Sequence, residues 1–253
     1  MAEARDELLF KQPESTHLGD CPICAVPMPT CKARCSMQTC CSTLICNGCF
    51  CANQKRDTCP FCRFSHMTST NEDLKKRRME RIMANDPVAI LNQGLEYKEK
   101  GDYVKAVKNF QKAIELGDLG GPGLGSVEAH FQLSIMYREG QGVEKDAGKE
   151  LFHLEESAIG GHPIGRSNLG GYEYVHGNPK RAAKHWIIAV KQGNKFSLKV
   201  LMEKFKKKKG LVDKEDLNAA LRAHQTALDA TKSPQREVAD NIGLMLGKNC
   251  HCC

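Results

Sequence analysis

Residues 94–117 read GLEYKEKGDYVKAVKNFQKAIELG, two helical stretches hinged on the pair Gly101-Asp102, and this segment decides the fold. Its small residues Gly94, Ala106 and Ala113 allow two antiparallel helices to approach closely, while Tyr97, Tyr103, Phe110 and Ile114 are placed to fill the groove of a neighbouring pair. The unit recurs as LSIMYREGQGVEKDAGKELFHLEESAIGG at 133–161 and LGGYEYVHGNPKRAAKHWIIAVKQG at 169–193. In register, Phe110, Leu154 and Trp186 are equivalent core positions, and Gly117, Gly161 and Gly193 end the second helices. Three copies are about the minimum for a self-supporting stack.

On Gly94, Tyr97, Gly101, Asp102, Tyr103, Ala106, Phe110, Ala113 and Ile114 the first copy resembles a tetratricopeptide repeat. The pattern YxxGxGVxxD from Tyr137 to Asp146 resembles the Sel-one-like subfamily, with its longer inter-helix turn. The resemblance implies a mainly α fold, an α-solenoid of antiparallel helix pairs over 87–247 that holds a protein substrate. LGGPGLGSV at 119–127 lacks the lysine and hydroxyl pair of a phosphate-binding loop and reads as an insertion. Asn178 before Pro179 predicts a helix cap followed by a first-turn proline. Residues 195–208 predict an amphipathic helix with Phe196, Leu198, Leu201, Met202 and Phe205 on its apolar side. Asp213 with Asp216, and Ser233 with Pro234, predict two more helices that cap the open end of the stack.

Ahead of the repeats, eleven of the fourteen cysteines crowd into residues 21–62. Three CxxC pairs stand there: Cys21 with Cys24, Cys46 with Cys49, and Cys59 with Cys62. Such a pair puts two thiolates on one side of a tight turn at the separation a tetrahedral zinc ion needs. Three pairs make one and a half sites, and the adjacent Cys40 and Cys41 can complete the second. Cys31 and Cys35 lie close enough in the loop to compete with Cys40.

The order of these thiols resembles the RING-type zinc finger, most specifically in the closing CPFCR with Cys59, Pro60, Cys62 and Arg63. That resemblance implies a small zinc-bound module over 21–66 holding two zinc ions with interleaved ligands. One set is Cys21, Cys24, Cys46 and Cys49, and the other Cys40, Cys41, Cys59 and Cys62. The family's usual histidine position is Thr43 here, which makes this an all-cysteine variant, and the large apolar residue of its short helix is Asn53. The implied activity is that of a ubiquitin-protein ligase with no catalytic residue or covalent intermediate of its own. It would grip a charged ubiquitin-conjugating enzyme through Ile23, Pro60 and either Leu44 or Ile45, with Arg63 as the cation that bridges to ubiquitin. Asn53 and the short Cys49 to Cys59 spacing favour the alternative, a non-enzymatic zinc-stabilised interaction scaffold.

Residues 1–20 are polar without a sustained period and read as a flexible leader, with no apolar run of the cleavable type in MAEARDELLFKQ. Residues 67–86 read as a connecting helix, capped by Thr70 and Asp73 and running to about Ala84, with Lys75, Lys76, Arg77 and Arg78 on a solvated face. Thiols kept free for metal imply a reducing compartment, cytoplasmic or nuclear, and no stretch approaches the roughly 20 apolar residues of a membrane span. The formal charge is +7, which eight ligating thiolates and two zinc ions would bring to about +3. With no aromatic interleaved in the basic run at 75–78, nucleic acid is not expected as a partner. His130, His153 and His185 read as packed or surface residues, outside any serine-histidine-acid arrangement. Cys250, His251, Cys252 and Cys253 form a tail at 248–253 with no fold to hold a metal.

Overall fold

The computed structural model describes residues 2–31, 34–54, 56–65, 68–118, 124–206 and 211–245. In chain order they form α1 (Ala2–Phe10), β1 (Cys35–Gln38), β2 (Thr43–Cys46), α2 (Asn47–Asn53), α3 (Asn71–Met83), α4 (Pro87–Glu99), α5 (Tyr103–Asp118), α6 (Leu124–Glu139), α7 (Ala147–Ile159), α8 (Pro163–Val175), α9 (Pro179–Lys191), α10 (Lys195–Lys206), α11 (Lys214–Ala230) and α12 (Pro234–Met245). The Cys/His tail and residues 119–123 lie outside the described residues.

The repeats are the helix pairs α4–α5, α6–α7 and α8–α9, and local chemistry starts the first and the third. Asp86 accepts from the amides of Val88 and Ala89 at 2.9 and 3.1 Å, with Pro87 in the first turn. His162 does the same work for α8 through Nδ1, which accepts from Gly165 N at 2.9 Å. Gly161 and Gly193 sit at φ +83° and +86°, so both inter-repeat turns use the left-handed region that side chains avoid. Gly117 does not: it stays helical inside α5, and α6 begins at Leu124, so residues 124–127 of the glycine-rich stretch are helix. A Cβ on Gly117 would come within 2.6 Å of Ser126 Cβ, which makes it a contact position for α6.

Two apolar cores follow. Ile90, Ala106, Phe110, Ala113, Leu133 and Met136, all fully buried, join the first two repeats. Trp186, Val190 and Leu201 join the third repeat to α10, with Leu217 and Ala220 of α11 closing the end. Of the apolar residues expected on the buried side of α10, Leu201 is fully buried while Phe196, Met202 and Phe205 face outward, so that face is only half used. Asn178 precedes α9 but makes no capping bond; its amide donates to Glu173 Oε2 at 2.8 Å, because Pro179 at the first position leaves fewer amides to satisfy.

Three expectations about the ends of the stack change. Residues 2–20, expected as a flexible leader, are docked: Leu9 is 1% exposed against Leu154, Ala158 and Leu169. Arg5 pairs with Glu155 and Glu156 of α7 at 2.7 and 2.8 Å, and Asp6 with Arg181 of α9 at 2.6 Å. The fully buried Arg166 donates to Leu9 O and, at 2.6 Å, to Ala158 O, so one guanidinium serves carbonyls at two helix ends. The connecting helix α3 is likewise packed: Leu74 joins Cys40, Cys41 and Cys59, Arg77 lies over the Phe64 ring at 5.5 Å, and Arg78 pairs with Glu96 of α4. Helix α12 does not cap the stack beside α11. It turns away and packs on α2 of the cysteine-rich module.

Gly170 and Gly171 give a direct test of the repeat packing. A Cβ at Gly170 would meet Trp186 Nε1 at 2.6 Å, whereas Gly171 has nothing within 4 Å. Gly170→Ala is expected to lower stability by about 1–3 kcal/mol through overpacking. Gly171→Ala should be neutral or stabilise by up to about 1 kcal/mol through helix propensity. Urea unfolding of the two variants beside the parent reads the difference.

Candidate metal centres

The residues around Cys21 and those around Cys59 fold as copies of one turn. Cys21 N donates to Val26 O at 3.0 Å and Ala25 N to Cys21 O at 2.8 Å; Cys59 N donates to Phe64 O at 2.9 Å and Arg63 N to Cys59 O at 3.0 Å. Ala25 and Arg63, each directly after the second cysteine, hold φ +52° and +57°. Single strand bridges, Asp20 to Pro27 and Thr58 to Ser65, close both turns. The third knuckle is the start of α2, where Cys46 Sγ accepts from Cys49 N at 3.4 Å.

A short hairpin separates these knuckles and decides which thiols meet. β1 and β2 pair antiparallel from Cys35 opposite Cys46 to Gln38 opposite Thr43. Cys46 and the start of α2 are therefore at one end of the ladder, and the turn carrying Cys40 and Cys41 is at the other. The sulfurs gather accordingly in two groups, Cys21, Cys24, Cys46 and Cys49, and Cys40, Cys41, Cys59 and Cys62, the atoms of each within 4.8 Å of one another. Pairs distant in sequence share each group, so the chain crosses between the groups three times.

Both groups have the dimensions of a tetrahedral thiolate site. With metal–sulfur bonds of about 2.3 Å, tetrahedral sulfurs lie about 3.8 Å apart; Cys24 and Cys46 are 3.9 Å apart and Cys41 and Cys59 3.7 Å. Burial works against an anion at Cys21, yet the backbone amides of Cys46, Cys24 and Ile23 hold its thiol down to about 7. Cys59 is also lowered, against burial, by the amides of Cys62 and Phe61. Cys40 and Cys49 are pushed up by burial and by neighbouring sulfurs. A compact group of four thiols cannot ionise together without a cation, and either group could hold a metal ion.

Cys31 and Cys35 stand outside both groups. Cys35 Sγ points at Pro29 O and Cys31 O at 3.6 and 3.8 Å, and burial pushes its thiol up to about 12. Thr43 belongs to the second group's surroundings, its hydroxyl 3.2 Å from Cys41 Sγ, where it donates once that sulfur is a thiolate. Ile23 (40% exposed), Pro60 and Arg63 face solvent on the knuckles, and Leu44 is half-buried. Ile45 is a correction: it is 0% exposed in the module core beside Cys21, Cys46 and Met28, because its place in β2 points it inward, and it has no surface to offer a partner. Arg236 was not legible as part of this region, since it lies 212 residues from Cys24 and yet approaches its sulfur.

A third cluster of donors, His17, Glu128 and His162, is buried between the N-terminal segment and the repeats. The two imidazoles are stacked, centroids 4.3 Å apart and 23° from parallel, so one ion cannot lie in both ring planes. His162 Nδ1 already accepts from Gly165 N, which leaves Nε2 protonated and donating to Glu128 Oε2 at 3.0 Å. The cluster is a polar clamp. His130 is also buried, and His185 is fully so, pushed down to about 3 by burial and by Arg166 and Arg181.

The fold and these centres together define a helical-repeat interaction protein with a cysteine-rich module. Residues 89–118, 127–162 and 164–194 match the Sel1 repeat, so the chain carries three Sel1 repeats, one for each helix pair. Among solved structures it is similar to a Sel1 repeat protein from Oxalobacter formigenes, with a TM-score of 0.50 and 25% identity over 62% of this chain. The match spans 64% of that chain, a little under two thirds of its length. No curated protein matches this sequence. No helix among the described residues is long and apolar enough to cross a membrane.

Metal content discriminates between the thiols. The parent is expected to bind two zinc ions per chain, Cys40→Ser to lose one of them with distortion of the cobalt-thiolate spectrum, and Cys35→Ser to keep both. Two zinc ions in Cys40→Ser with an unchanged spectrum would remove Cys40 from the ligand set.

Proposed function

We propose that the chain is a two-zinc RING-type ubiquitin-protein ligase, with the module recruiting a charged ubiquitin-conjugating enzyme and the Sel1 repeats holding a protein substrate. The observation that carries this reading is the interleaving of two four-sulfur groups across one hairpin, with the knuckle residues Ile23, Pro60 and Arg63 left in solvent. Zinc would cross-link knuckles that have too little core to hold themselves. A cleft of about 280 Å³ between Phe50, Asn53, Thr58 and Pro60 adjoins the closing knuckle and gives an incoming loop somewhere to lodge.

In this role the chain transfers nothing itself. It holds the conjugating enzyme and its thioester in one orientation, which lowers the entropic part of the barrier. Arg63 suits the bridging position because its planar fork can bind two carbonyls at once. Its left-handed backbone is set by the Cys59 knuckle, so the side chain leaves the module in a direction fixed by the metal-binding turn.

One observation favours the second reading, a zinc-stabilised scaffold without ligase activity. Asn53 occupies the helix position where a large apolar contact residue is expected, and its amide donates to Cys49 O at 2.8 Å. It is turned back onto its own helix.

Single-turnover discharge of ubiquitin from a panel of charged conjugating enzymes separates the two. Acceleration by the zinc-loaded parent, reduced roughly 10- to 100-fold in both Ile23→Ala and Arg63→Ala with two zinc ions retained, is the expected result. A fully loaded parent that accelerates none of the panel would leave the scaffold as the function.

A further inference from the structure

Helix α12 meets the first cysteine group end-on. Gly48 of α2 is so close to it that a Cβ there would lie 2.8 Å from Arg236 N and 2.9 Å from Gln235 C. Across this contact Arg236, only 5% exposed, inserts its guanidinium. One terminal nitrogen donates to Pro27 O and Thr231 O, both at 2.7 Å; the other donates to Val26 O at 3.0 Å and reaches Cys24 Sγ at 3.7 Å. Val26 and Pro27 form the turn that closes the Cys21 knuckle, so one side chain binds a ligand sulfur and the loop that aims it. Asp240, one turn further along α12, pairs with Arg34 of the module at 3.4 Å.

The charge of the filled site gives this contact its importance. Four thiolates around a divalent ion carry a net charge of about −2. Cys21, Cys46 and Cys49 are at most 1% exposed, so that charge is shielded from water and needs a partner within the protein. Arg236 brings a permanent cation and a directed N–H to it.

We propose that Arg236, carried by the last helix described, is the outer-layer residue of the first metal centre, so that metal at this centre and the docking of α12 stabilise each other. This rests on the zinc reading of the cysteine groups. Outer-layer partners are worth roughly 10- to 100-fold in metal affinity, and the coupling is reciprocal by thermodynamic necessity. Metal binding at the amino-terminal module would thereby be felt at the carboxyl-terminal end of the solenoid.

The test uses the full chain loaded with zinc and a chromogenic chelator in excess. The second centre serves as an internal reference, with the release phases assigned using Cys62→Ser. In Arg236→Met and Arg236→Lys one zinc per chain is expected to leave at least about tenfold faster while the other keeps its parental rate. Equal rates for parent and variants, or equal acceleration of both zinc ions, would overturn the proposal. In the parent itself, stripping the metal should raise amide exchange across 234–242 ahead of α8 and α9. Unchanged exchange in α12 would count against it even if the variants fold poorly. A parent that binds no zinc would overturn the zinc reading together with this proposal, whereas normal zinc content with unaltered release in Arg236→Met overturns this proposal alone.

Discussion

A helix pair in this chain cannot bury its apolar side alone, and the architecture follows from that constraint. Phe110 and Leu133 belong to different repeats yet share one core, and Trp186 needs Leu201 and Leu217 from outside its own repeat. Stacking solves the problem for the middle of the array and leaves it open at both ends. α10 and α11 close one end with Leu201, Leu217 and Ala220, helped by Val212 just ahead of α11. At the other, α3 fits between the first repeat and the second cysteine group, held by Arg78 to Glu96 and by Arg81 to Ser42 and Asp86.

Buried polar groups show how tightly the amino-terminal segment is integrated. Arg166 is fully buried, and burial drags it down to about 10, but its donors meet carbonyls near the ends of α1 and α7. Without α1 the nitrogen that donates to Leu9 O would lose its acceptor within the protein. His17 adds a second fastening, its backbone amide on Gly161 O at 3.2 Å and its ring stacked on His162. The segment is held by polar complementarity along its length, with Leu9 as its one fully buried apolar residue among those described.

The repeats were legible because their signal is local: residues three and four apart decide a helix face, and glycines mark the turns. The eight cysteines were also legible as candidates, since a CxxC spacing fixes its own geometry. What escaped reading depends on contacts across the chain. Nothing in AEARDELLF shows that Arg5 and Asp6 will meet Glu155 and Arg181, and its weak periodicity reads as a leader. Ile45 reads like Ile23, an apolar residue beside a ligand, until the hairpin register turns one inward and leaves the other out. Arg236 looks like any basic residue near the start of a helix, and only the packing at Gly48 gives it a thiol to face.

The contact between α12 and the module has a consequence for the order of synthesis. Cys24 leaves the ribosome 212 residues before its guanidinium partner, an interval of roughly 10–40 s at ordinary translation rates. The first group, unlike the second, which α3 covers soon after its last cysteine, spends most of that time without its full surroundings, while the repeats are still being added one at a time. Arrival of α12 then joins the two ends of what would otherwise be an open row of repeats, and makes the newest part of the chain a partner of nearly the oldest.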